Sequence, residues 1–133
     1  MCNDQKCSDH NPYTLPDIDF VGGETQNFSF NVYFYANGSP FDVSSCTSNF
    51  SIVSYNNKTG APRVSKEMTV AQGADSTSNV LKVTLSPSDT VDLSGKFIYQ
   101  ITIRDGGAGG DVEIPKQGIM NIINNINKPF TRG

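Results

Sequence analysis

Between Phe28 and Phe34 the side chains alternate with a period of two: Phe28, Phe30, Val32 and Phe34 fall on one side, Ser29, Asn31 and Tyr33 on the other. A helix repeats every 3.6 residues and cannot gather those four apolar groups on one face, whereas an extended strand does so at every second position. Aromatic and β-branched side chains also pack well on a pleated surface. The segment is therefore a half-buried strand, and Asn37-Gly38-Ser39-Pro40 ends it with a turn.

The same pattern recurs along the chain. Residues 46–55 place Cys46, Ser48, Phe50, Ile52 and Ser54 on one face. After the loop at residues 56–62, residues 63–70 read as one polar edge strand. Leu81, Val83 and Leu85 alternate with Lys82 and Thr84 until Ser86-Pro87, where proline removes a ladder donor. Residues 88–93 are too few for an independent helix and predict a single turn. In residues 97–104 the inward set is Phe97, Tyr99, Ile101 and Ile103, and the outward set is Ile98, Gln100, Thr102 and Arg104. The last β run, residues 112–123, contains Pro115 and Gly118, which predict a bulge or an edge break. Residues 17–21 predict a short edge strand before Gly22-Gly23. About seven antiparallel strands, turn signals at short intervals and no amphipathic helix specify an all-β, immunoglobulin-like sandwich. The expected division is a flexible N-terminal arm over residues 1–16, the sandwich over 17–124 and a loose tail over 125–133. At 133 residues, one core is the default.

The polar surface is built of amides and hydroxyls, since charged residues make up only 17% and the net charge is −3. That balance offers no clustered cationic patch for nucleic-acid phosphates or anionic lipids, so neither is expected as a partner. No stretch approaches the ~20 apolar residues that span a bilayer, and the first residues show no apolar h-region for secretion. Three cysteines, an odd number, argue against a closed disulfide framework and for synthesis in a reducing compartment.

The residues that could carry chemistry are few. Cys2, Cys7 and His10 are zinc-type ligands close in sequence, but they lack paired C-x2-C spacing, and a fourth ligand would have to be Cys46 at the edge of the core. No metal or cofactor is expected, although whether the three cysteines pair or bind metal stays open. His10 is the only histidine and lies in the arm, where no triad could be held in register. The carboxylate pairs Asp17/Asp19 and Asp89/Asp92 fit strand ends and turns. The run Gly106-Gly107-Ala108-Gly109-Gly110 joins two strands without feeding a helix, so it is a hairpin tip and not a phosphate cradle. The chain is accordingly expected to be no enzyme.

One series of motifs is recognisable in order: Gly23-Glu24-Thr25, Phe28-Ser29-Phe30, Asn37-Gly38-Ser39-Pro40-Phe41-Asp42-Val43, Phe50-Ser51-Ile52, Val83-Thr84-Leu85-Ser86-Pro87-Ser88-Asp89-Thr90, Gly95-Lys96-Phe97-Ile98-Tyr99-Gln100-Ile101 and Pro115-Lys116-Gln117-Gly118-Ile119-Met120-Asn121-Ile122. From about Ile18 to Ile123 the chain resembles the N-terminal immunoglobulin-like domain of the baseplate upper protein family of tailed phages. The resemblance implies a virion structural protein, a tail or baseplate adaptor without catalysis, assembled in the bacterial cytoplasm, with other tail or baseplate proteins as partners. In that family a helical and C-terminal part follows and carries receptor-binding proteins. No such part is present here, so the chain is either a cropped domain or a small tail component, and trimer formation stays open.

Tyr13 and Leu15, the large apolar residues of the arm, and Tyr33 and Tyr35, on the outer face of the first strong strand, are the candidate protein contacts. The alternative function is a secreted bacterial adhesion or carbohydrate-binding module, with Tyr33, Tyr35 and Tyr55 stacking on sugar.

Overall fold

The computed structural model describes residues 13–33, 38–73, 76–105 and 112–132. Within them the period-two segments become strands: β1 (Ile18–Val21), β2 (Gln26–Asn31), β3 (Thr47–Ser54), β4 (Val64–Glu67), β5 (Thr69–Ala71), β6 (Val80–Leu85), β7 (Gly95–Asp105) and β8 (Val112–Ile123). Two short helical turns accompany them, α1 (Pro87–Thr90) and α2 (Lys128–Arg132). One sheet has the order β1-β8-β7-β3-β4 and the other β2-β6-β5, and every pairing is antiparallel except that of β1 with β8. The chain is an all-β sandwich, as the alternation requires.

The core lies where the inward sets of the two sheets meet. Phe50, Ile52, Leu81, Leu85, Tyr99 and Met120 are wholly enclosed. Ring contacts cross between the sheets, with Phe28 stacked on Phe50 at 6.0 Å between centroids and Phe30 near Tyr99 at 6.1 Å, while Phe50 and Tyr99 stack at 5.7 Å within the larger sheet. Such pairs add to the area term that burial supplies. Phe28, Phe30 and Val32, expected within the core, are only half-buried, because β2 is an edge strand with one flank open. Phe34 and the glycine-rich tip lie outside the described residues.

Three expectations are corrected. Residues 63–70 are not one edge strand: β4 pairs with β3 in the larger sheet and β5 with β6 in the smaller. The chain changes sheets at Met68, whose side chain is buried and whose N–H donates to the Ser48 carbonyl at 2.9 Å. Ile98, assigned outward, is also buried, since β7 is a central strand and Ile98 sits between its register partners Val53 and Ile119.

The third correction concerns β8, which pairs with β7 residue for residue from Val112 to Ile122 with no bulge. Pro115 is tolerated because odd-numbered backbone groups of β8 face away from β7, as the bond from Leu15 N–H to the Gln117 carbonyl shows. Its missing donor therefore faces the outer edge, beyond the end of β1. Gly118 is opposite Tyr99, and a Cβ there would lie 2.7 Å from two carbons of the Tyr99 ring. Glycine lets that ring cross the strand.

The connection through α1 is held by local chemistry. Ser86 N–H and hydroxyl both donate to the Asp89 carboxylate, at 2.7 and 3.0 Å, and Lys66 of β4 pairs with the same carboxylate at 2.7 Å. Burial alone would raise the Asp89 pKa, but the Lys66 and Ser86 hydrogen bonds outweigh it and hold the carboxyl below its usual value.

Candidate functional site

Residues 13–16, assigned to the arm from the sequence, run along the outer edge of β8. Tyr13 forms a parallel bridge with Gln117, and Leu15 N–H donates to the Gln117 carbonyl at 3.1 Å. The Tyr99 hydroxyl, carried across the sheet over Gly118, donates to the Pro16 carbonyl. Leu15 packs half-buried against the core. This short strap is thus fastened at both its backbone and its one aliphatic side chain. Residues 1–12, with Cys2, Cys7 and His10, lie outside the described residues.

Burial, with a smaller contribution from the negative charge of Asp17, pushes the Tyr99 hydroxyl up to about 12. In the unfolded chain the same group ionises near pH 10. Above pH 10 the unfolded state therefore releases a proton that the folded state keeps, and stability is expected to fall as pH rises from about 10 to 12. Denaturant unfolding on either side of pH 10 checks this. Tyr99→Phe, which has no phenol to ionise, is expected to show a shallower decline.

Between the strap and the residues after β2, the two sheets part to leave a groove of about 280 Å³. Phe30, Leu81, Ile101 and Ile103 floor it, while Leu15 and Tyr33 stand on either side. Tyr33 is 51% exposed, although its bridge to Pro40 fixes the backbone beneath it. The fold thus brings Leu15 and Tyr33 to one groove. It places Tyr13 elsewhere, and Tyr35 lies outside the described residues. No carboxylate, histidine or cysteine lines the groove among the described residues. Its largely apolar lining suits an apolar side chain.

Tyr13 belongs to a second cluster that sequence reading missed. Its ring lies 6.3 Å from that of Tyr55, and the ammonium groups of Lys58 and Lys96 stand 4.2 and 4.0 Å from the Tyr55 ring centroid. A hydrogen bond to the Tyr13 hydroxyl outweighs desolvation and raises the Lys58 pKa. The three segments involved are far apart in the sequence, and no local pattern announces their meeting.

The carboxylates singled out as pairs serve the fold. Asp19 accepts from the Asn121 side chain at 2.9 Å, and Asp89 is the partner of Lys66 and Ser86. Cys46 is half-buried against the core. Among the described residues no group of three or more His, Cys, Asp or Glu side chains is placed to hold a metal ion, and no helix is long and apolar enough to cross a membrane.

No family model matches the chain, and no curated protein matches it. Among solved structures it is similar to the N-terminal domain of phage TP901-1 ORF48, with a TM-score of 0.53 and 12% identity over 84% of this chain and 92% of that one. At that identity the likeness is one of fold.

Proposed function

We propose that this chain is a phage or prophage virion structural protein, a tail or baseplate adaptor that docks to other tail proteins and catalyses no reaction. The observation that carries the proposal is the fold's likeness to a phage protein's N-terminal domain over 92% of that domain. Strand order supports the immunoglobulin-like reading: β2-β6-β5 faces β8-β7-β3, with β1 and β4 at the flanks. Docking uses the open end of the sandwich, where Leu15 and Tyr33 border the apolar groove and an apolar side chain of the neighbouring tail protein enters. Tyr13 starts the strap whose Leu15 borders the groove. The carbohydrate reading gains nothing from Tyr55, whose ring already carries two ammonium groups that a stacked sugar would have to displace.

Mass spectrometry of purified virions from an induced lysate tests the proposal: the chain is expected among the tail proteins, and its absence overturns the assignment. Two truncations then probe the arm. Removing residues 1–12 is expected to leave the melting temperature unchanged and to abolish incorporation into tails. Extending the deletion through residue 16 also removes Leu15 and the carbonyl that Tyr99 bonds, so stability is expected to fall as well. Normal incorporation of the shorter form overturns docking through the arm.

A further inference from the structure

We propose that the surface formed by Tyr13, Tyr55, Lys58 and Lys96 binds an acidic segment of a partner protein, whose carboxylates pair with the two ammonium groups. This site is separate from the groove and does not depend on the virion assignment. Three segments converge there: the strap through Tyr13, the β3–β4 connection through Tyr55 and Lys58, and the start of β7 through Lys96. The Tyr55 N–H donates to the Lys96 carbonyl at 3.0 Å, which fixes the two backbones against each other.

Both ammonium groups are in contact with one ring, so their separation cannot exceed the two centroid distances of 4.2 and 4.0 Å taken together. That is within a Debye length of roughly 8–10 Å at ordinary salt, and the two charges repel with little screening. No carboxylate of the described residues forms an ion pair with either lysine, whereas Lys66 has Asp89. The ring faces hold the cations in place by cation–π attraction, and the Tyr13 hydroxyl, accepting from Lys58, favours its charged form. Among the described residues two cations thus share one ring without an ion-pair partner. An external carboxylate removes the repulsion and gains hydrogen bonds to ionised donors.

The remaining surface decides which anion fits. Asp19 accepts from Asn121, the register partner of Lys96, so a carboxylate stands on the same rung of the sheet. A long polyanion would meet that charge and the acidic chain beyond it. A short Glu- or Asp-bearing segment delivers one or two carboxylates to the lysines without doing so.

The full chain, uniformly labelled with 15N, is titrated with a hexaglutamate peptide and, separately, with a heparin-derived hexasaccharide. Hexaglutamate is expected to shift the amide resonances of residues 55–58 and 95–97 saturably, and less so as salt is raised. Lys58→Ala/Lys96→Ala is expected to weaken binding by roughly tenfold or more, as loss of paired interface charges does. Lys58→Arg/Lys96→Arg, which keeps both charges, retains it, and Lys82→Ala on the other sheet leaves it unchanged. Far-UV circular dichroism of each variant confirms its folding. Absence of hexaglutamate shifts at those residues, or equal binding by the alanine double variant, overturns the proposal. Saturable binding of the hexasaccharide alone also overturns it and assigns the surface to a sulfated glycan.

Discussion

Phe50→Ala is expected to cost about 3–5 kcal/mol, the range for removing a buried aromatic ring and leaving the cavity behind. Phe50 is wholly enclosed and stacks on both Phe28 and Tyr99, so its loss opens the centre of the core, breaks a ring contact that joins the sheets and removes another within the larger sheet. Domains of this size are stable by only about 5–15 kcal/mol, and the variant is expected to be marginal near body temperature. Phe30→Ala removes the same side chain from an edge strand where it is half-buried, and it is expected to cost less than Phe50→Ala. Urea unfolding of the two variants side by side is the measurement. Equal costs would show that β2 is better covered than its place at the sheet edge implies.

Gly118→Ala is expected to destabilise by about 1–3 kcal/mol although it adds a single methyl group, because the added carbon has nowhere to go. It would lie 2.7 Å from two ring carbons of Tyr99 and 2.8 Å from its oxygen. Either the ring moves and gives up the Pro16 carbonyl, or β8 moves away from β7 along a register that runs its whole length. Coupling separates this clash from any general effect of alanine in a strand. In a Tyr99→Leu background the ring is absent, so the cost of Gly118→Ala is expected to shrink or vanish. A cost that is the same in both backgrounds would place the strain elsewhere.

What could be read from the sequence is what a strand's own side chains dictate. Alternation at Phe50/Ile52, Leu81/Val83/Leu85 and Phe97/Tyr99/Ile101/Ile103 depends on nothing beyond the pleat, and every one of those residues is buried on the face it was assigned. Single turns and breaks were equally local, as Ser86-Pro87 shows at the end of β6. Burial of Ile98, by contrast, depends on which strands flank β7, and the division of residues 63–70 between two sheets depends on where Met68 finds a core to enter. Neither leaves a mark in the period. Leu15 and Tyr33 each stand out in the sequence as an apolar residue in polar surroundings, but only the fold sets them on the same groove.

The strap and the lysine–tyrosine cluster lie beyond any local reading. Tyr99 and Pro16 are 83 residues apart, and Gly118 reads in sequence as a defect in β8 until the ring that crosses it is seen. Lys58 in a loop and Lys96 at a strand start carry no signal of a shared tyrosine. The sequence by itself determined which residues form strands and which faces they bury, because those choices are made within a few residues. The tertiary structure alone decided what the strands bring together, because hydrogen-bond partners, close approaches and charge neighbours are set by chain segments that meet only when the sandwich closes.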